Sequence, residues 1–145
     1  MKIPRVSIKL VKEEEFEYNV EPVLSVERTA NFFIKLIGDS DREKFVALYL
    51  DVKNVPNCIE IISIGSLNSS IVTPREVFKS AVMSNSNSII VAHNHPSGSL
   101  EPSKEDVNVT LRLKEAGKIL GIQLLDHIIV NYDGKYVSLK EKGVI

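Results

Sequence analysis

Apolar residues recur along the chain at two spacings, and each spacing predicts a different kind of element. Where they recur every three or four residues behind a serine or threonine that can cap a helix, the pattern predicts a helix. Where they alternate with polar residues or form a short run between turn signals, the pattern predicts a strand. The predicted helices cover residues 22–38, 74–83 and 103–121, and the predicted strands cover residues 6–10, 43–51, 58–67, 89–92, 122–130 and 135–139.

Turn residues indicate how these strands pair. A short turn around Pro56 separates the second and third predicted strands, and the Asp133-Gly134 pair, a strong hairpin signal, separates the last two. Hairpins interleaved with helices predict a mixed, largely antiparallel sheet flanked by helices. The fold class is therefore α/β of the α+β type, in a single layered domain over residues 25–145 that follows a lead-in strand or arm at residues 1–24.

Composition narrows the class of protein. A length of 145 residues fits one domain, and a net charge of −1 lacks the basic excess expected of a protein that binds nucleic-acid backbones. The single cysteine, Cys58, cannot form an internal disulfide and is expected to be a small buried apolar residue. No apolar run approaches the roughly 18 residues of a membrane span, so a soluble, cytoplasmic protein is expected.

Three potential metal ligands follow the predicted strand 89–92. His93 and His95 are two residues apart, so their side chains should share one face of the strand end. A loop with two prolines and a glycine can bring Asp106, in the first turn of the helix 103–121, back to the histidines. Two imidazoles and one carboxylate suit zinc and leave a coordination position open for water, whose pKa falls to about 7 on the metal.

Each of these residues also has a structural interpretation, and spacing alone leaves both open. A histidine pair at a strand end can be polar surface or a hydrogen-bonded pair, and Ser103 with Asp106 can form a capping box. His127 is expected to be structural, bonding with Asp126 at the start of a strand, and a contact behind a metal ligand is its alternative. Asn94 should point away from the histidines and hold the loop.

A resemblance to a known family favours the metal interpretation. The string HNHPSG at residues 93–98, followed by Ser103 and Asp106, resembles the signature of the JAMM (MPN-type) metalloproteases and of their RadC branch in particular. Two more RadC-like strings stand in the same order, PREVF at residues 74–78 and LDHIIV at residues 125–130. The resemblance covers the whole predicted domain and implies the JAMM/MPN cytidine-deaminase-like fold, with one Zn²⁺ per chain.

The resemblance also implies a role for each residue of the site. His93, His95 and Asp106 match the zinc ligands, and Ser103 matches the serine that helps to hold the oxyanion of the tetrahedral intermediate. Glu43 stands where the family has a glutamate that acts as general acid and base. Such a carboxylate takes a proton as water attacks and later passes it to the leaving amine.

Two other glutamates are rivals to Glu43 by residue type. Glu60 lies in the middle of a predicted strand, and Glu76 lies in a first helical turn, where a carboxylate favours the helix dipole in any case. Glu43 is therefore the expected catalytic carboxylate.

By this resemblance the chain is expected to be a zinc-dependent hydrolase, a metallopeptidase or isopeptidase acting on a peptide or protein. One alternative is a DNA-associated protein, either a RadC-type repair or recombination accessory or a metal-dependent nuclease. The net charge does not favour it, and the sequence holds no equivalent of the helix-hairpin-helix region of RadC proteins. A second alternative is a non-catalytic zinc-binding interaction domain, and the complete ligand set disfavours it.

Overall fold

A five-stranded sheet carries the fold of the described residues. The computed structural model describes residues 1–18, 25–65 and 72–145. None of the helices in these ranges has the length and apolar character needed to cross a membrane. In chain order the elements are α1 (Val26–Ile37), β1 (Lys44–Leu50), β2 (Pro56–Ile64), α2 (Pro74–Met83), β3 (Ser88–Asn94), α3 (Lys104–Leu120), β4 (Gln123–Val130) and β5 (Tyr136–Ser138).

The strand order is β2-β1-β3-β4-β5, and only the pair β3 and β4 is parallel. That pair is joined by α3, as parallel neighbours require a crossover connection. The remaining neighbours are antiparallel, and both predicted hairpins, β1 with β2 and β4 with β5, are present. The predicted fold class, a mixed and largely antiparallel sheet flanked by helices, is therefore confirmed.

Helices cover both faces of the sheet, which explains the unbroken apolar run of β1. Its residues Phe45, Ala47 and Tyr49 pack with α2 and α3, while the residues between them pack with α1 on the opposite face. A central strand covered on both sides buries every residue, whereas an edge strand would alternate. β1 is buried from Phe45 to Leu50. The sheet therefore has two cores, one on each face.

The three helices of the described residues each follow the N-cap residue that the sequence predicted. The side chains of Ser25, Thr73 and Ser103 each accept a hydrogen bond from a backbone N–H in the first turn. At the other end of α3, Gly121 has a left-handed φ of 71°, and the Ile122 N–H closes the helix on a carbonyl one turn back. These local contacts explain why the helix bounds could be read from the sequence.

One predicted strand is wrong. Residues 1–18 contain no helix or strand, and the side chains of Val6 and Ile8 are 77% and 75% exposed. Alternation marks a segment that can form a strand, but a strand also needs a neighbour with free backbone groups, and none of the described strands pairs with this segment. The start of the first predicted helix, at residues 22–24, and the end of the strand 58–67 lie outside the described residues.

A substitution at Gly117 tests how closely α3 packs against the residues that follow its C-terminus. A Cβ at Gly117 would lie 2.3 Å from the carbonyl oxygen of Ile122 and 3.3 Å from the ring of Phe78. Glycine to alanine inside a helix normally stabilises by about 0.5–1 kcal/mol, but here the contact is with backbone that cannot give way. We expect Gly117→Ala to lower the free energy of unfolding by about 1–3 kcal/mol in urea denaturation.

The matched control is Asn108→Ala on the exposed side of the same helix, which should change the free energy of unfolding by less than about 0.5 kcal/mol. A gain in stability from Gly117→Ala would show that the helix end is not packed as described.

Candidate metal centre

Three ligand atoms meet where β3 ends and α3 begins. Nε2 of His93 lies 2.9 Å from Nε2 of His95 and 3.2 Å from Oδ1 of Asp106. Nε2 of His95 lies 3.3 Å from Oδ2 of the same carboxylate. All three residues offer a ligand atom within 4.8 Å of the others, so this group could hold a metal ion. The convergence that the sequence predicted is therefore present.

The loop between the two elements is held closely to the sheet. The backbone N–H of His95 donates to the carbonyl of Val130 at 3.1 Å, and its ring Nδ1 bonds the carbonyl of Ser99 at 2.8 Å. Gly98 has a left-handed φ of 86°, and its carbonyl accepts from the side chain of Asn131 at 2.9 Å. These contacts fix the ring of His95 beside the buried ring of His93.

Asp106 caps its helix and faces the histidines with the same carboxylate. Its backbone N–H donates to Oγ of Ser103 at 3.0 Å, and its Oδ2 accepts from the N–H of Ser103 at 2.7 Å. The capping box and the convergence of Asp106 with the two histidines, which were alternatives in the sequence, are both present in the structure.

The electrostatics of the group favour a cation. Burial acts to raise the pKa of Asp106, but the hydrogen bonds from His93 and His95 outweigh it and hold that pKa well below its usual range. The hydrogen bond to Asp106 in turn raises the pKa of His95. An ionised carboxylate that draws a proton onto a neighbouring imidazole will also draw a metal ion, because protons and metals compete for the same lone pairs.

His127 lies behind His93 and makes both of the contacts that were expected as alternatives. Its Nε2 is 2.7 Å from Nδ1 of His93, and its Nδ1 is 2.6 Å from Oγ1 of Thr110. Asp126 does bond locally, since it accepts from the N–H of His127 at 2.7 Å and from Ser138 at 2.6 Å. The histidine ring itself reaches the ligand, which was the less favoured alternative.

From the sequence this contact was only an alternative, because it depends on how two strands pair. His127 lies on β4 opposite Val91 of β3, so its side chain points to the same face as that of His93, two residues further along. The only signal in the sequence was that a histidine followed the third helix in a strand. Thr110 carried no signal at all, since a threonine in a helix normally needs no explanation.

Glu43 is held at the end of β3 by its backbone neighbours. The N–H of Lys44 donates to Oδ1 of Asn94 at 2.7 Å, and the carbonyl of Glu43 accepts from the N–H of Gly65 at 2.8 Å. The amide of Asn94 also donates to the carbonyl of Arg42 at 3.0 Å, so Asn94 holds the segment before β1, whereas it was expected to hold the loop after its own strand. The negative charge of Glu43 is close enough to contribute to the raised pKa of His95, after the larger effect of the Asp106 hydrogen bond.

The two rival glutamates have partners of their own. Glu60 accepts from the hydroxyl of Tyr49 at 3.2 Å, and Glu76 pairs with Lys79 at 3.3 Å on α2. Of the three glutamates, Glu43 is the one whose charge contributes to the raised pKa of His95. Its role in catalysis stays a prediction.

Ser103 lies at the mouth of the group and is exposed. Its hydroxyl oxygen accepts from the Asp106 N–H, which leaves the hydroxyl hydrogen without an acceptor among the described residues. The serine can therefore donate outwards while it caps the helix. Its expected role at an oxyanion stays a prediction.

Comparisons with known proteins bear on the same residues. A family model described as a RadC-like JAB domain matches residues 23–144. The chain is 59% identical over 107 residues to a UPF0758 protein of Methanosarcina mazei, which covers 74% of this chain and 46% of that protein. It is 51% identical over 129 residues to a UPF0758 protein of Clostridium botulinum, which covers 89% of this chain and 55% of that protein. The chain thus spans about half the length of the curated relatives it matches, whose name assigns no activity.

Asp106→Asn tests whether the three residues bind a metal as a unit. Asparagine keeps an oxygen for the Ser103 N–H but removes the charge, so the helix should form while the affinity for zinc falls by more than about 100-fold. Competition with a chromophoric chelator at neutral pH measures that affinity. Glu105→Gln, an exposed neighbour in the same helical turn, should leave it unchanged. Equal affinities in the two variants would rule out Asp106 as a ligand.

Proposed function

The chain belongs to the RadC-like JAB domain family, and on that premise we propose that it is a zinc-dependent hydrolase that cleaves a peptide or isopeptide bond. The observation that carries the proposal is the convergence of His93, His95 and Asp106, with the charge of Glu43 acting on His95. A histidine pair that served only to stabilise the strand end would not need a second carboxylate beside it.

The donor atoms support zinc as the metal. Two imidazole nitrogens and one carboxylate oxygen are a common zinc ligand set, and three protein ligands leave a position for substrate or water. Bound there, zinc would supply an activated water near neutral pH and polarise the carbonyl of the scissile amide.

Glu43 is the proposed general acid and base. It lies just before β1, and the side chain of Asn94 holds the backbone at this point against the end of β3. A carboxylate in this place can accept the proton of the attacking water and deliver it to the leaving amine. An amine leaves poorly without that proton, so the position of this one carboxylate decides between hydrolysis and simple metal binding.

Ser103 is the proposed donor to the developing oxyanion. The Asp106 N–H holds the serine oxygen at 3.0 Å, and the hydroxyl hydrogen can point out of the site. The N-terminus of α3 adds its positive dipole end at the same place. A donor fixed before the reaction stabilises the oxyanion without having to reorganise.

The substrate is proposed to be a peptide or protein. An open depression beside the metal group would admit an extended chain, and its lining carries charges of both signs. Its lining residues are Asp41, Arg42, Glu43, Gly65 and Pro96. A phosphodiester backbone would call for a basic surface, whereas the chain has 18 basic and 19 acidic residues. The substrates and partners of the longer relatives are not implied by this domain alone.

Glu43→Gln tests the proposal. Glutamine keeps the size of the side chain but cannot accept the proton, so hydrolysis should fall by about 10²–10⁴-fold while the zinc content stays at one ion per chain. The zinc-loaded protein is incubated with a mixed library of peptides and isopeptide-linked peptides, and new termini are read by mass spectrometry. Glu76→Gln on α2 is the matched control and should retain activity.

Two results would overturn the proposal. One is the absence of any cleavage by the zinc-loaded wild type across the library, and the other is equal cleavage by wild type and Glu43→Gln. Cleavage of a DNA oligonucleotide in place of the peptides would assign the site to phosphodiester hydrolysis.

A further inference from the structure

A chain of hydrogen bonds runs behind the metal group, and its direction can be worked out atom by atom. The hydroxyl of Thr110 is 2.6 Å from the carbonyl oxygen of Asp106 and 2.6 Å from Nδ1 of His127. Nε2 of His127 is 2.7 Å from Nδ1 of His93. Three short contacts therefore connect the backbone of one ligand to the ring of another.

The carbonyl of Asp106, at one end of the series of hydrogen bonds, determines which atom donates in each of them. A carbonyl oxygen can only accept, so the single hydrogen of the Thr110 hydroxyl goes to Asp106. The same hydroxyl oxygen must then accept from His127, which places the hydrogen of that ring on Nδ1. A neutral imidazole carries one hydrogen, so Nε2 of His127 is left as an acceptor and receives the Nδ1 hydrogen of His93.

This direction of hydrogen bonding determines which atoms His93 and His95 present to Asp106. With its hydrogen on Nδ1, a neutral His93 presents a bare lone pair at Nε2, the atom that faces Asp106 at 3.2 Å. The hydrogen bond from this atom to Asp106 forms only when a proton occupies the lone pair, and a metal ion would take the same place. His95 is set in the same way, because its Nδ1 lies 2.8 Å from the carbonyl of Ser99 and must donate to it. Two lone pairs 2.9 Å apart then face each other beside a carboxylate, an arrangement that a cation stabilises.

The packing around His93, His127 and Thr110 holds these hydrogen bonds in place. His93 and Thr110 are fully buried and His127 is 1% exposed, so water does not compete for these hydrogen bonds. The ring of Phe45 stacks on His93 with 6.1 Å between centroids and meets His127 edge-on at 5.4 Å. Neither imidazole can turn without displacing this ring.

We propose that Thr110 and His127 are positioning residues that fix His93 as its Nδ1–H tautomer and thereby prepare its Nε2 to bind the metal. The hydrogen bonds start at the backbone of Asp106 and end at His93, whose Nε2 would hold the metal together with the carboxylate of Asp106. Partners of this kind typically change metal affinity by about 10–100-fold. The inference rests on the proposed function only in that His93 is taken to bind a metal.

The first test uses the wild-type protein without metal. Long-range proton–nitrogen NMR spectra of the imidazoles at mildly alkaline pH report which ring nitrogen carries the hydrogen. We expect His93, His95 and His127 to carry it on Nδ1. A hydrogen on Nε2 of His93 or of His127 would overturn the inference, whatever the protein catalyses.

The second test removes the hydroxyl that sets the direction. Thr110→Val keeps the shape of the side chain but removes the hydroxyl, so Nδ1 of His127 loses its acceptor. The rings of His127 and His93 are then no longer held in one tautomer. Zinc affinity should fall by about 10–100-fold, and the imidazole spectra should show a second tautomer. Thr110→Ser, which restores the hydroxyl, should recover the affinity and the single tautomer.

Circular dichroism of the metal-free variants shows whether a variant has lost only these hydrogen bonds or has also lost its fold. Wild-type affinity and spectra in Thr110→Val would overturn the inference, and so would failure of Thr110→Ser to recover either. If the wild type bound no zinc, the proposed function and the role in metal binding would both fail, while the metal-free spectra would still decide whether the hydrogen-bond chain exists.

Discussion

The arrangement of His93, His95 and the start of α3 depends on the contacts of one group, the carboxylate of Asp106. One of its oxygens accepts from the N–H of Ser103 and so completes the cap of α3, while both oxygens face the histidines. A helix start has unpaired N–H groups that need an acceptor, and the two histidine rings present Nε2 atoms that can share a proton or a metal ion with a carboxylate. Because one side chain meets both needs, the start of the helix cannot shift without opening the ligand group.

The sheet supplies the other half of the arrangement. β1 and β3 are neighbours, and Phe45 of β1 pairs with His93 of β3. The chain just before β1 is therefore drawn to the end of β3, where Asn94 binds it and where Glu43 stands. The side chains that β3 and α3 bring together thus lie near a second carboxylate, Glu43, from a segment some fifty residues earlier, as the strand order requires.

Much of this could be predicted from the sequence, because the signals were local. Caps and turn residues marked the helices and hairpins, and the stretch from His93 to Asp106 held three ligands within one connection. The sequence was not sufficient where the outcome depended on a distant partner. The segment at residues 6–10 has the right alternation but pairs with none of the described strands, and His127 reaches His93 only through the parallel register of β3 and β4.

The most direct test of the account is a crystal structure of the protein grown with zinc, with an anomalous difference map recorded at the zinc edge. The account predicts one peak about 2.0–2.2 Å from Nε2 of His93, Nε2 of His95 and a carboxylate oxygen of Asp106, with His127 still bonded to Nδ1 of His93. A peak elsewhere in the molecule, or a fourth protein side chain bound to the same ion, would contradict it.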